Sequence, residues 1–282
     1  MVRLNKPPIT PAPIRKNSPV ENSVYKYNAS DDGLAEYLKC FTSRNGDGSG
    51  DHEENFLSCL KLVAYCKSGC EFLDVGSGHG RIVDIIRPYA AHVVALEPDT
   101  ERFRSCRNGF LGVHNVDVHN TVSTEYRVAN PEKKFDVITL SMVQQHISMR
   151  QSQGILEDIR DLLAPDGLAI ISTTHFFDER FLYQGRFVPV SMNEFDRYAE
   201  DTSNQAWGIP VRMFSKKSFH HAILRASLKV IMWNQFSYLR PEKVEAFANQ
   251  YSVPADAIRD IGYSQFAVVK SASSSNPAAH NS

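Results

Sequence analysis

The sequence predicts an α/β fold with a mostly parallel sheet and helices on both faces of that sheet. Short apolar runs alternate with amphipathic stretches at the spacing of βαβ units, and one of these runs ends in a glycine-rich turn. The composition is ordinary for a globular protein, with 42% hydrophobic and 22% charged residues. It excludes wholesale disorder, collagen-like repeats and coiled coil, and 282 residues are enough to bury a sizeable core.

The individual elements follow from hydrophobic periodicity and from turn residues. Short runs rich in β-branched and aromatic residues predict strands over 72–75, 92–96, 113–118, 135–141, 168–172, 230–238 and 263–270. Apolar residues recurring every three or four positions, with capping residues at their starts, predict helices over 31–41, 51–66, 81–87, 100–108, 151–163 and 215–226.

The chain is predicted to divide into four parts. Residues 1–29 hold five of the fourteen prolines and carry five cations against one anion, which predicts a basic, mostly disordered arm. N-terminal helices are expected to form a cap over 30–70, followed by the main domain over 71–270 and an unfolded, serine-rich tail over 271–282. The aromatic-rich stretch 176–213 is too long for an ordinary loop, so we expect an insertion after the fifth strand that binds substrate as a lid.

Charge and composition argue against several classes of partner, nucleic acid and membranes among them. The 31 basic and 32 acidic residues give a formal charge of −1, so no global electrostatic force favours nucleic acid or an anionic membrane. No stretch approaches the roughly 18 apolar residues of a membrane span, and no secretory signal is recognisable, which predicts a cytoplasmic protein. The five cysteines lack paired CxxC spacing, so we expect reduced thiols and no metal site.

The glycine-rich turn is the most informative segment. It reads Glu71-Phe-Leu-Asp-Val-Gly-Ser-Gly-His-Gly80, a GxGxG pattern with Asp74 two residues before the first glycine. Glycines let the backbone turn sharply and approach a ligand that a Cβ would block. In a dinucleotide site this turn faces a pyrophosphate, which a carboxylate would repel. Asp74 therefore indicates a cationic or hydroxyl-bearing ligand, and both the spacing and the acid argue against an NAD-dependent dehydrogenase.

Polar residues also follow the next predicted strands. Glu97 ends the second strand, 97 − 74 = 23 residues after Asp74, which suits the tips of consecutive strands in a βαβ unit. A carboxylate at that tip can accept hydrogen bonds from both hydroxyls of a ribose. Asn120 ends the third strand, where its amide could contact an adenine edge.

Four segments together resemble the class I S-adenosylmethionine-dependent methyltransferases. They are DVGSGHG, ALEPD, FDVITLS and LLAPDGLAIIS, in the order and spacing of that family over residues 72–172. The resemblance implies a seven-stranded, mostly parallel, Rossmann-like methyltransferase sheet over 71–270. It also implies a cleft for S-adenosylmethionine (SAM) at the carboxyl ends of the strands, with S-adenosylhomocysteine (SAH) as the product.

The same resemblance implies a role for each residue of the motifs. Asp74 would lie near the amino group of the cofactor, directly or through water, and Glu97 would bind the ribose. The methionine part would lie over Gly76, Ser77, Gly78 and Gly80; the adenine would meet Pro98 or Asp99, Asn120 and Thr121; and the sulfonium side would be lined by Ser141 and Met142.

Two histidines are the candidate catalytic residues. Methyl transfer from a sulfonium is an in-line displacement, so catalysis is mostly positioning of the nucleophile. A neutral nitrogen needs no further help, whereas a hydroxyl is assisted by a general base. His146 follows the fourth strand and His175 follows the fifth, where the acceptor would approach, and imidazole titrates near neutrality.

The first hypothesis for function is a methyltransferase that acts on an oxygen or nitrogen atom of a small molecule. The second is a protein or peptide amino-group N-methyltransferase, because GSGHGRI and SMVQQHIS are similar to the α-amino N-methylating family. The third is a methyltransferase-like binding subunit without turnover, against which the intact glycine turn and both acids argue. The residue pattern predicts no oligomeric state.

Overall fold

The computed structural model describes residues 54–183, 186–189 and 211–272. The predicted arm, the helix over 31–41, most of the insertion and nearly all of the tail lie outside the described residues. The predicted N-terminal cap is described only from residue 54 onward. The structure therefore describes the sheet, the helices that cover it, and the part of the predicted insertion within residues 176–183, 186–189 and 211–213, which is called the stem of the insertion below.

Strands and helices alternate through most of the described chain. The strands are β1 (Cys70–Val75), β2 (Ala90–Leu96), β3 (Val116–His119), β4 (Phe135–Ser141), β5 (Leu163–Thr174), β6 (Arg180–Tyr183), β7 (Arg186–Pro189), β8 (Val211–Met213), β9 (Leu228–Tyr238) and β10 (Gly262–Ser271). The α-helices are α1 (Glu54–Cys66), α2 (Arg81–Ile86), α3 (Thr100–Gly109), α4 (Ser123–Ala129), α5 (Met149–Leu162), α6 (Lys216–Arg225), α7 (Pro241–Tyr251) and α8 (Ala255–Ile258), and a 3-10 turn spans Gln144–His146.

One seven-stranded sheet has the order β3–β2–β1–β4–β5–β10–β9. Strands β1 to β5 are parallel, and β10 runs antiparallel to both β5 and β9. The chain order reverses where β1 lies between β2 and β4, and such a switch point leaves a crevice at the carboxyl ends of the strands. This confirms the predicted seven-stranded, mostly parallel sheet, and it places the glycine turn after β1 at the crevice.

Helices on the two faces of the sheet bury two separate apolar clusters. On one face α5 and α6 contribute Leu156 and Phe219, and on the other α1 and α2 contribute Phe56 and Ile82. Burial of one such side chain stabilises the fold by about 2 kcal/mol. The periodicity that predicted a helix over 51–66 is confirmed by its described part, because Phe56, Leu60 and Ala64 are fully buried.

Helix α5 begins with a capping box directly after the 3-10 turn. The Ser148 hydroxyl accepts a hydrogen bond from the Gln151 N–H (3.2 Å), and the Gln151 side chain accepts one from the Ser148 N–H (3.1 Å). Two N–H groups that the helix leaves unpaired are thereby satisfied. Because of this cap, α5 begins at Met149, two residues before the predicted helix start at 151.

Other boundaries differ from the predictions for local reasons. Strand β5 begins at Leu163, which pairs with Phe135 before an irregularity that contains Pro165, whereas the proline and glycine placed the predicted start at 168. Strand β3 begins at Val116 because hydrogen-bonded turns occupy the preceding residues. Helices α4, α7 and α8 were not predicted; α4 has only seven residues and α8 only four, too short for a clear periodic pattern.

Candidate cofactor cleft and acceptor side

The three glycines of the turn have different environments although all have positive φ, at +73°, +57° and +86°. A Cβ on Gly76 would lie 2.6 Å from Val143, and one on Gly80 would lie 2.5 Å from the Phe110 ring. A Cβ on Gly78 would meet nothing within 4 Å. The outer glycines are therefore required by packing, whereas Gly78 borders open space that a ligand can fill.

Backbone hydrogen bonds hold the glycine turn against the end of β2. The N–H groups of Gly76 and Ser77 both donate to the Leu96 carbonyl, at 2.8 and 3.0 Å. The Gly78 N–H donates to the Glu97 side chain at 2.7 Å. The turn thus presents a fixed backbone surface, and its position depends on the same carboxylate that is predicted to bind ribose.

Asp74 lies at the bottom of the cleft, 1% exposed. One of its oxygens, Oδ1, accepts a hydrogen bond from the Thr139 hydroxyl at 2.7 Å. The other oxygen, Oδ2, is buried and has no hydrogen-bond partner within the described chain. Burial raises the pKa of Asp74 to about 7, and the nearby Glu97 adds to this, while Thr139 and Arg81 oppose it. A buried carboxyl oxygen without a partner is suited to receive an ammonium group.

Glu97 lies at the tip of the neighbouring strand and is also buried, at 3% exposure. Its two oxygens accept backbone hydrogen bonds from Asp99 (2.9 Å) and from Gly78 (2.7 Å). Burial raises its pKa, and these bonds and the charge of Arg102 oppose the rise. Each carboxylate oxygen keeps a second lone pair, so Glu97 can accept hydrogen bonds from a diol without giving up its backbone partners.

Asn120 and Thr121 directly follow β3, where the adenine is predicted to bind, but the side chains of both form hydrogen bonds with other groups of the protein. The Asn120 amide donates to the carbonyl oxygens of Glu97 (2.8 Å) and Pro98 (3.0 Å), which ties the ends of β2 and β3 together. The Thr121 hydroxyl donates to Glu125 at 2.8 Å. Asn120 therefore fixes the segment around Pro98, and its direct contact with adenine stays a prediction.

Ser141 and Met142 form the end of β4 on the far side of the cleft. The Ser141 and Ser172 hydroxyls lie 3.0 Å apart, and the Met142 N–H donates to the Ser172 carbonyl at 3.0 Å. Met142 has φ of +55°, a conformation that is costly for residues other than glycine. This bend directs the following Val143 onto Gly76, so the β4 end and the glycine turn support each other.

Two arginines of the cleft were missing from the predicted site. Arg81 is the first residue of α2, directly after the glycine turn, and its charge acts on Asp74. Arg102, in the first turn of α3, acts on both Glu97 and His146. A zwitterionic methionine group needs a cation for its carboxylate as well as an anion for its ammonium. The sequence GHGR at residues 78–81 already showed a cation, Arg81, directly after the glycine turn.

The two predicted catalytic histidines have different surroundings. His146 lies in the 3-10 turn after β4, where burial and the charge of Arg102 lower its pKa to about 3, so its ring is neutral. The Nδ1 of His175 lies 2.8 Å from the Gly262 carbonyl, and its ring meets Trp233 edge-on at 5.8 Å. Burial also lowers the pKa of His175. The charge of Arg102 acts on both His146 and Glu97, whereas His175 is directed toward β10 and β9; the catalytic roles of the two histidines stay predictions.

The described stem of the insertion is a small antiparallel sheet of order β7–β6–β8. The guanidinium of Arg180 on β6 lies 4.8 and 4.9 Å from the rings of Phe176 and Phe177, which are themselves in contact. Arg212 on β8 is 3% exposed, lies 4.3 Å from the Phe214 ring and pairs with Glu179 at 3.3 Å. Phe176 is fully buried with side chains of α7 and α8, so this aromatic ring serves packing rather than an open wall.

A cavity of about 610 Å³ lies at the amino ends of the strands, opposite the cleft, and its lining includes Arg127, Lys134 and Arg160. Asp161 neutralises part of this charge, since it pairs with Arg160 at 2.7 Å and with Arg127 at 3.4 Å. None of the residues of the glycine turn lines this cavity. It is therefore separate from the cofactor cleft.

Two further kinds of feature are absent from the described residues 54–183, 186–189 and 211–272. Among these residues no three His, Cys, Asp or Glu side chains come together as ligands for a metal ion. Over the same residues, no helix has the length and apolar character needed to cross a membrane.

The chain belongs to the methyltransferase domain family, whose sequence model matches residues 51–235, about two thirds of the chain. The order of the sheet and the position of the cleft place it among the class I SAM-dependent methyltransferases. The cleft fits that cofactor, because Gly78 borders open space and bonds the Glu97 carboxylate, and the buried Asp74 just before the turn has a carboxyl oxygen without a partner in the described chain. The predicted family, enzyme class and cofactor are confirmed.

Similar proteins of known kind include one sequence relative and two solved structures. Ribosomal protein L11 methyltransferase from Caldicellulosiruptor bescii is 27% identical over 115 residues, which is 40% of this chain and 36% of that protein; the chain thus matches little more than a third of its relative's length. The N-methyltransferase NodS from Bradyrhizobium japonicum, solved with SAH, has 11% identity and a TM-score of 0.53 over 86% of this chain and 99% of the other. The 1,6-didemethyltoxoflavin-N1-methyltransferase from Burkholderia thailandensis has 14% identity and a TM-score of 0.53 over 85% of both chains. At these identities the two structures show the shared fold.

Proposed function

We propose that this protein transfers the methyl group of SAM to a nitrogen or oxygen atom of a small-molecule acceptor, with nitrogen favoured. The observation that carries the proposal is the cleft at the switch point of the sheet. There Gly78 leaves space for a ligand and bonds the buried Glu97 carboxylate, and the buried Asp74 lies just before the turn. Ammonium and diol groups are the partners that these carboxyl groups lack.

The side chains of the cleft bind and orient, and the bound cofactor supplies an electrophilic methyl group on its sulfonium. Asp74 receives the ammonium group at Oδ2, and Arg81 faces the carboxylate. Glu97 accepts hydrogen bonds from the two ribose hydroxyls while it holds the Gly78 N–H. Asn120 keeps the segment around Pro98 in place beside the adenine. Catalysis in such a site comes from alignment of the acceptor with the methyl group.

Nitrogen is favoured because the described acceptor side presents neutral polar groups. Ser141 pairs with Ser172, and the Thr173 hydroxyl donates to the Gln145 side chain at 3.2 Å. The low pKa of His146, about 3, makes this residue a weak base at neutral pH. A neutral amine or ring nitrogen attacks without losing a proton first, whereas a hydroxyl needs a base. Two of the similar proteins named above are N-methyltransferases, which agrees with this preference.

The direct test is a methyl-transfer assay with a panel of small amines, nitrogen heterocycles, phenols and alcohols, read by mass spectrometry. We expect a gain of one methyl group on at least one nitrogen compound and none on the matched oxygen compounds. The Glu97→Ala variant is the control for cofactor-dependent transfer. Methylation of phenols or alcohols but not of nitrogen compounds would overturn the nitrogen preference.

A protein substrate is the second candidate, and the identity to a ribosomal protein methyltransferase favours it. The same assay distinguishes the two candidates if it includes a library of peptides with free α-amino groups and a purified ribosomal protein fraction. Transfer to peptides or proteins at a higher kcat/KM than to any small molecule would replace the first candidate with the second.

A further inference from the structure

Asp74 is a buried acid whose two carboxyl oxygens differ in their hydrogen bonding. It is 1% exposed, Oδ1 accepts the Thr139 hydroxyl at 2.7 Å, and Oδ2 has no partner within the described chain. An ionised carboxylate in such a place loses its hydration and gains only one hydrogen bond. Burial of that kind favours the neutral acid.

The groups that face Asp74 come from every element around it. Thr139 on β4 and Arg81 on α2 favour the ionised form, whereas burial and the carboxylate of Glu97 after β2 disfavour it. The Cys106 thiol on α3 is near enough to feel the charge of Asp74, and burial raises its own pKa to about 11, so it stays neutral. The balance brings the pKa of Asp74 to about 7.

We propose that Asp74 is a protonated, neutral acid in much of the cofactor-free protein and releases this proton to solvent when the ammonium group of the cofactor binds at Oδ2. The inference rests on the proposed cofactor cleft and adds a proton to its binding equilibrium. No covalent bond changes except that the Oδ2–H bond breaks, and the positive charge of the ammonium replaces that of the departing proton. Cofactor binding is then linked to pH.

The test is calorimetric binding of SAH in two buffers of different ionisation enthalpy, with wild type and Asp74→Asn. The variant keeps the shape of the side chain but has no proton to release. Protons that the ligand itself gains or loses are the same for both proteins, so they drop out of the difference between wild type and variant. With a pKa of about 7 for Asp74, wild type should release about 0.8 more protons per SAH than the variant at pH 6.5, and about 0.1 more at pH 8. Relative to the variant, its affinity should fall about ten-fold from pH 8 to pH 6.

A second ligand separates Asp74 from the neighbouring acid. 5′-Methylthioadenosine has the ribose and adenine but no amino-acid part, so it reaches Glu97 and leaves Asp74 without a partner. Its binding should release the same number of protons in wild type and in Asp74→Asn. A release that appears with this ligand would assign the titration to Glu97 and overturn the proposal.

Thr139→Val keeps the proposal testable if Asp74→Asn fails to fold or to bind. The Thr139 hydroxyl favours the ionised carboxylate, so its loss should raise the pKa further and increase proton release at pH 8 above that of wild type. SAH binding with equal proton release in wild type and Thr139→Val at pH 8, or with none at pH 6.5, would contradict the proposal while leaving the cofactor function intact. Absence of SAH binding at any pH would contradict the function itself.

Discussion

The cofactor side of the cleft and the stem of the insertion are built in different ways. On the cofactor side, Asp74, Glu97 and Asn120 lie at the tips of three adjacent parallel strands, and hydrogen bonds between side-chain and backbone groups fix the turns between them. In the stem of the insertion, Arg180 and Arg212 lie on a small separate sheet and are paired with acids of the same segment. The first arrangement follows from the topology of the main sheet, whereas the second depends on contacts of an inserted segment.

This difference explains how much the sequence could predict. The positions of Asp74 and Glu97 need only the order of the strands and the spacing between their ends, both of which are local features of the chain. Arg102 could not be predicted in the same way, because its effect on His146 joins elements separated by more than 40 residues. The burial of Phe176 depends on α7 and α8, which come much later in the chain. Composition alone could not distinguish a packed aromatic from a substrate wall.

The largest effect is expected from a substitution at Gly78, the glycine of the cofactor side that borders open space. Gly78→Leu places a side chain in the space where the ligand would lie, so we expect SAH affinity to fall at least about 100-fold, or roughly 2.7 kcal/mol. Gly112→Leu is the matched control, because Gly112 also has a positive φ (+80°) and open space around its Cα. The two variants should lose similar stability in thermal unfolding. Equal SAH affinity in both would show that the space at Gly78 is not the cofactor site.

A core substitution at the stem of the insertion should affect stability instead of cofactor binding. Phe176→Ala removes a fully buried ring from the cluster with α7 and α8, and we expect the free energy of unfolding to fall by about 3 kcal/mol. Phe177→Ala, at a neighbouring ring that is 38% exposed, should cost much less. Denaturant unfolding of both variants checks this, with SAH affinity unchanged in each. Similar stability losses would mean that Phe177 is packed as tightly as Phe176.

Protonation of Asp74 predicts a smaller, pH-dependent gain in stability. A carboxyl whose pKa is raised in the folded state stabilises it below the unfolded pKa, and this stability is lost as pH rises through the folded value of about 7. Asp74→Asn carries no charge to bury, so its Tm without ligand should exceed that of wild type by a few degrees at pH 8. The gain should be smaller at pH 5, and it should vanish only below the unfolded pKa of about 4. A gain of equal size at both pH values would point to a cause other than ionisation.

The smallest effect is expected at the predicted general base. His146 is neutral because burial and Arg102 hold its pKa near 3, so His146→Asn should lower kcat by less than about ten-fold on a nitrogen acceptor. General bases contribute about 100- to 10,000-fold, so a loss in that range would restore His146 as the base. The pH profile of kcat, measured with the acceptor found in the assay above, should keep its shape in the variant.

Binding of SAH, measured by calorimetry on wild type and Glu97→Ala with NAD in parallel, tests the central claim most directly. We expect a Kd on the order of micromolar for SAH with wild type, near −8 kcal/mol, and a loss of at least about 50-fold in the variant. NAD should not bind, because Asp74 lies where its pyrophosphate would meet the turn. Binding of NAD in preference to SAH, or SAH binding that is unchanged in Glu97→Ala, would contradict the assignment of this cleft.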